Sequence, residues 1–216
     1  MTQAESRRIQ LYASPFGGSA IAEAALTLCR LDYETIDIEF EALEACEPLR
    51  AINPLCQIPT VVLADGGVMS ESAAIVLYLG SKYPDVGLVP AQASSDYAEF
   101  LRWLVFVVAN IYPTFTYGDF PQRWVGSKEA QDELVASTDS RRQEHWKYLE
   151  EIVHGRAWFL DSGFTALDIY VWVMSHWRPG RGWFERECPN LFRIAAALDV
   201  DPRLQAVRAR NFVGRV

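Results

Sequence analysis

The hydrophobic pattern of the chain changes character near residue 85. Before that point, short stretches with a period of two alternate with stretches of helical period. Ile9, Leu11 and Ala13 alternate as a strand, and after a turn containing Pro and Gly, Ile21, Ala24, Ala25 and Leu28 recur on one helical face. Ile36, Ile38 and Phe40 predict a second strand, followed by a Glu- and Ala-rich segment that ends at Asn53-Pro54. Thr60 to Ala64 reads as a buried strand, Asp65-Gly66-Gly67 as a hairpin turn and Val68-Met69 as the returning strand. Ser70 is placed to cap a helix in which Ala74, Ile75, Tyr78 and Leu79 share a face, and Gly80 and Pro84 are expected to stop it.

Residues 84–90 are loop-like, and no strand pattern follows them. Asp96 to Ile111 predicts a helix apolar over most of its surface and ended by Pro113, and Glu129 to Val153 a long amphipathic one. Thr165 and Asp168 have the spacing of a capping box, in which side chains satisfy free N–H groups at a helix start; Phe164 and Ile169 are spaced to pack as its hydrophobic staple, and the helix is expected to run to Pro179-Gly180. Asp201-Pro202 is a further helix start. The order β-α-β-(α)-β-β-α followed by helices alone predicts an α/β + all-α protein. Its N-terminal thioredoxin-like domain spans residues 1–85 and its all-helical C-terminal domain residues 91–216.

Composition narrows the function classes. With 50% hydrophobic and 22% charged residues among 216, the chain can bury a core and is too apolar to be disordered. Its net charge of −8 argues against a nucleic-acid partner, because that affinity comes from Lys and Arg neutralising phosphates. Met1 to Arg8 is polar, and the longest apolar runs, Trp103 to Ala109 and Ile169 to Met174, fall far short of the ~20 residues of a membrane span. No membrane partner and a cytoplasmic location are therefore expected. Cys29, Cys46, Cys56 and Cys188, with His145, His154 and His176, show no paired or metal-ligand spacing, so reduced, buried thiols and no metal are expected.

The run Asn53-Pro54-Leu55-Cys56-Gln57-Ile58-Pro59-Thr60, then Asp65-Gly66, then Ser70-Glu71-Ser72-Ala73-Ala74-Ile75 with Tyr78-Leu79 in register, resembles the glutathione transferases. That family commonly reads Asn-Pro-x-Gly-Gln-Val-Pro, a hairpin, and Glu-Ser-x-x-Ile before a tyrosine-containing helix. Leu11-Tyr12 with Ser14-Pro15, and the capping pattern from Phe164 to Asp168, are similar to its opening strand and its helical domain. The resemblance implies a cis Ile58-Pro59 bond that exposes the Ile58 backbone, which pairs like an added strand with the cysteinyl part of glutathione. It implies a helix tip at Glu71 and Ser72 that takes the γ-glutamyl carboxylate, Glu71 facing the ligand's ammonium group. Gln57 belongs to the same glutathione-binding set. From the residues alone, a plain turn proline at residue 59 and simple helix capping by Ser70 to Ser72 remain open.

The resemblance departs where the chemistry would be. Family members place a Tyr, Ser or Cys after the first strand to stabilise the glutathione thiolate, and the corresponding positions here are Phe16, Gly17 and Gly18. Ser19 is the first substitute for a catalytic hydroxyl and Ser14 the second; helix capping by Ser19, or thiolate stabilisation by the Gly17 and Gly18 amides, are alternatives. Cys56 replaces the family's glycine, either as a small buried filler or as a redox handle. Tyr112, Phe115, Tyr117, Phe120 and Trp124 crowd one stretch of the helical part, and the resemblance implies an electrophile pocket lined by Phe16, Tyr112 and Phe115. The activity it implies is conjugation of glutathione, as co-substrate, to an apolar electrophile by a detoxifying homodimer. A non-catalytic glutathione-binding module or a glutathione-dependent isomerase or thiol reductase are the rival functions.

Overall fold

Parallel pairing of the first two strands and antiparallel pairing of the next two organise the first half of the chain. A computed structural model describes residues 8–214; the polar start read from Met1 onward lies, up to residue 7, outside the described residues. Strands β1 (Ile9–Ala13), β2 (Tyr33–Asp37), β3 (Thr60–Val62) and β4 (Val68–Ser70) form one four-stranded sheet in the order β2-β1-β3-β4. β2 runs parallel to β1, while β3 is antiparallel to β1 and β4 to β3. Helices α1 (Ser19–Leu28), α2 (Glu47–Ile52) and α3 (Ser72–Lys82) complete the thioredoxin-like unit. Phe40, read as a strand residue, instead opens a short 3-10 turn, Phe40–Ala45.

The chain divides into two units, Met1–Val89 with Asp199–Val216, and Pro90–Leu198. The helical range 91–216 is thereby corrected, because the last segment belongs to the sheet-containing unit. Its 3-10 turn Pro202–Leu204 is capped by Asp201, which accepts from the Arg203 N–H at 2.9 Å, and leads into the final helix Gln205–Asn211. This tail explains why α1 is buried around almost its whole circumference although its periodicity marks only one face: the tail packs on α1 as well. Small residues permit that close approach, Ala20, Ala22, Ala24 and Ala25 all being fully buried.

Gly80 does not stop α3. A side chain there would come within 2.4 Å of the Val89 side chain, so glycine lets the loop pack on the helix, which continues to Lys82.

The second unit is helical: α4 (Tyr97–Phe106), α5 (Tyr112–Asp119), α6 (Lys128–Ile152), α7 (Ala166–Ser175), α8 (Arg181–Glu187) and α9 (Pro189–Asp199), whose last residue falls to the first unit. Pro113, expected to end a helix, lies in the first turn of α5, which continues directly from a wide π turn at Val107–Ile111 that interrupts the regular bonding just before it. The Thr165 and Asp168 capping box is formed as expected. Phe164 lies edge-on to Trp158, with ring centroids 5.6 Å apart, and α7 ends at Ser175, short of Pro179. No helix among the described residues is long and apolar enough to cross a membrane.

Candidate functional site

Sheet register gathers the candidate residues. Ile36 pairs with Tyr12, Tyr12 with Thr60 and Thr60 with Ser70, a single row across all four strands. Just beyond that row the chain continues into Ser14–Gly18 after β1, Phe40 after β2, Ile58-Pro59 before β3 and Glu71-Ser72 after β4. Residues far apart in sequence thus emerge at one end of the sheet.

Asn53 organises the segment before β3. Its Nδ2 donates to the Gln57 carbonyl at 3.2 Å and to Thr60 Oγ1 at 2.9 Å, and its Oδ1 accepts from the Leu55 N–H at 3.2 Å. Thr60 Oγ1 donates to the same Gln57 carbonyl at 2.7 Å. The Ile58-Pro59 peptide is cis. Neither the N–H nor the C=O of Ile58 has a hydrogen-bond partner among the described residues, which leaves both for an added strand. The Gln57 side chain is exposed.

Cys56 is buried and has φ 51°, the left-handed conformation that glycine adopts freely. The glycine expected at this position by resemblance thus has a backbone reason, and Cys56 belongs to a buried cluster with Tyr12, Ile38 and Leu49. Cys56→Gly relieves the left-handed strain but frees the unfolded chain and empties the Sγ site. These changes offset, and the expected net effect is within about 1 kcal/mol. Cys56→Val, β-branched at positive φ, is expected to cost about 1–3 kcal/mol. Urea unfolding of both variants checks the contrast; equal losses would refute the backbone explanation.

The start of α3 lacks a side-chain cap. Ser70, expected there, is the last residue of β4, and Glu71 takes the preceding position with φ 65°. Glu71 is exposed and Ser72 buried. A helix start without a capping side chain presents a partial positive charge and donors to an anion, with the Glu71 carboxylate beside it.

The turn between β1 and α1 is built on the Ser14 carbonyl. It accepts from the Gly17 N–H at 3.1 Å and from Ser19 Oγ at 3.0 Å, while Ser19 Oγ accepts from the Ser14 N–H at 3.2 Å. Ser14 and Ser19 are both buried, so the Ser19 hydroxyl is engaged by the backbone of the turn and not aimed outward. A methyl group on Gly17 would stand 2.9 Å from Phe40 Cζ, 2.9 Å from the Ser14 carbonyl oxygen and 3.6 Å from Ile58 Cδ1. Phe40 and Ile58 therefore flank Gly17. Phe40, which periodicity assigned to a strand, remains 41% exposed beside this turn and joins the site.

A family model described as "Glutathione S-transferase, N-terminal domain" matches residues 19–82. The uncharacterized GST-like protein YncG of Escherichia coli K12 is 35% identical, over 94% of this chain and 98% of its own. The chain belongs to the glutathione transferase family. A sphingomonad glutathione S-transferase solved in complex with glutathione is 25% identical, with TM-score 0.78, and the match covers 94% of this chain and 100% of that one. A Sulfitobacter glutathione transferase homologue, solved with bound glutathione, has the same fold at TM-score 0.82 and 19% identity over 95% of this chain and 99% of its own.

This glutathione transferase family member also carries the two aromatic residues of its helical unit in unlike settings. Phe115 is buried, with the Arg142 guanidinium 4.2 Å from its ring centroid and Trp177 edge-on at 5.0 Å. It is a packed ring within the helical unit. Tyr112 is half-buried and lies edge-on to Trp177 at 5.6 Å, so Trp177, which its position after α7 did not single out, is the residue that links the pair. Phe16, in the first unit, has φ 66° and is half-buried. Burial pushes the Cys29 thiol up to about 11 and the Cys188 thiol up to about 12, so neither supplies a thiolate at neutral pH. Among the described residues no group of His, Cys, Asp and Glu is arranged to hold a metal.

Proposed function

We propose that this chain binds glutathione across the end of its sheet and joins the glutathione sulfur to an apolar electrophile. The observation that carries the reading is the convergence, beyond one row of paired strand residues, of the unpartnered Ile58 backbone with the uncapped start of α3. The Ile58 N–H and C=O take the cysteinyl part of the ligand, the start of α3 takes the γ-glutamyl carboxylate, and Glu71 takes the ammonium group. Gln57 adds a polar side chain at the same edge. The sulfur then lies toward Gly17 and Gly18, where backbone can approach it closely.

An unperturbed thiol near pKa 8.5 is mostly protonated at neutral pH, and lowering it by two units takes about 2.7 kcal/mol. In this reading the Gly18 amide and the start of α1 supply that stabilisation, and Ser19 and Ser14 act by holding the turn. The thiolate attacks the electrophilic carbon, the new C–S bond forms as the leaving group departs with its electron pair, and the thiol proton passes to solvent. In this reading the enzyme acts as a cytoplasmic homodimer.

Isothermal titration with glutathione, alongside an aryl-halide conjugation assay, tests the reading. Saturable binding with turnover is expected, and absence of binding would end it. Ser19→Ala is expected to cost about 1–2 kcal/mol of stability, from the lost hydrogen bonds, while turnover falls less than about tenfold. A hundredfold loss of kcat at unchanged glutathione affinity would return the activating role to the Ser19 hydroxyl.

A further inference from the structure

We propose that the C-terminal segment of the first unit, from Asp199 to Gly214, is a positioning strut for the turn between β1 and α1, acting through Phe212 and Arg210. The Phe212 ring lies edge-on to Phe16, with centroids 6.4 Å apart and planes at 73°. Phe16 directly precedes Gly17 and holds a left-handed conformation that its Cβ disfavours, so contacts from neighbouring residues must keep it there. Phe212 is 8% exposed and forms one such contact from outside the turn.

Behind the turn the same segment ties α1 to β2. Glu23, in the body of α1, is 3% exposed, and its Oε2 accepts from Arg210 Nη1 at 2.5 Å and from Asn211 Nδ2 at 2.8 Å. The other terminal nitrogen of Arg210 donates to Asp37, the last residue of β2. Asn211 Nδ2 also donates to the Val207 carbonyl at 2.9 Å, which locks the pair to the final helix. Burial pushes the Glu23 carboxyl above the usual range, and Asn211 and Arg210 draw it back down. A buried carboxylate without these partners would be costly, so α1 and the tail must be placed together. The turn from Ser14 to Gly18 is thus held at its α1 end by this charge cluster and at Phe16 by an aromatic contact.

The functional consequence rests on the proposed glutathione chemistry: loosening the tail should misplace the Gly17 and Gly18 backbone and impair thiol activation before it impairs the fold. Phe212→Ala and Arg210→Met are the test variants, Phe212→Leu the conservative one and Val213→Ala, at an exposed neighbour, the control. Hydrogen exchange without glutathione should rise at least about tenfold in residues 14–20 in the two test variants, with β3 and α3 unchanged. Phe212→Leu should restore most of the protection. In the conjugation assay the same variants should lower kcat about tenfold and move the thiol-dependent limb of the pH profile to higher pH, with a smaller change in glutathione KM. Unchanged exchange in residues 14–20, or an equal rise throughout the first unit, would overturn the strut. If the wild-type protein fails to bind glutathione, the functional reading falls while the exchange arm still decides the structural one.

Discussion

Gly17→Ala is expected to lower conjugation turnover about a hundredfold in a protein that remains folded. The added methyl would meet the Ser14 carbonyl oxygen and Phe40 Cζ, each at 2.9 Å. Phe40 can swing outward, being partly exposed, but the Ser14 oxygen is backbone that also receives the Gly17 amide and the Ser19 hydroxyl. The turn itself must therefore shift. Overlap of this kind costs about 1–3 kcal/mol, partly offset by the smaller entropy of the unfolded alanine chain, about 0.4–1 kcal/mol. Catalysis is more sensitive than stability, because a displacement of about 1 Å at a reacting centre can cost 10²-fold. Steady-state rates with glutathione and an aryl halide, together with calorimetric unfolding, separate the two effects. Turnover within a factor of three of wild type would show that the sulfur does not sit against this turn.

The largest loss of stability is expected at Asp168, remote from that turn. Its carboxylate is fully buried and accepts from the Thr165 N–H at 2.7 Å and the Phe159 N–H at 2.8 Å. Asp168→Ala leaves both amides buried without an acceptor, at about 1–3 kcal/mol each, so a total of about 3 kcal/mol or more is expected in denaturant unfolding. A loss below about 1 kcal/mol would mean that solvent reaches the capping box. Burial also pushes the Asp168 pKa up to about 7, against the pull of the Thr165 and Phe159 amides. Between the unfolded value of about 3.9 and that folded value, the native state binds the proton more tightly than the unfolded chain does. The contribution is complete below about pH 4 and is lost as pH rises toward 7. The stability advantage of wild type over the non-titrating Asp168→Asn should therefore shrink across that window; a constant difference would refute the shift.

What could be read from the chain in advance was local. The alternation around Ile9 and Val61, the Asp65-Gly66-Gly67 turn and the Thr165–Asp168 box are patterns of neighbouring residues, and each formed where expected. Ser19 was legible as the start of a helix, but its hydroxyl is satisfied by the Ser14 backbone, a partner fixed only when the turn closes. Phe40 alternates with Ile36 and Ile38 and so looked like a strand residue; its place beside Gly17 depends on where β2 ends within the sheet. The packing of Phe115 against Arg142 and Trp177 was not legible, because those partners lie 27 and 62 positions further along the chain.

By itself the sequence determined the two kinds of secondary structure, the family resemblance at residues 53–60 and 70–75, and the caps at Thr165 and Asp201, because periodicity and capping act over a few residues along one chain. Only the tertiary structure decided that residues 14–18, 58–59 and 71–72 share one end of a sheet, that Cys56 occupies a glycine-like conformation, and that the tail belongs to the first unit. Strand register, close approach at Gly17 and the pairing of Glu23 with Arg210 across 187 positions arise between distant segments, where the order of residues along the chain carries no distance.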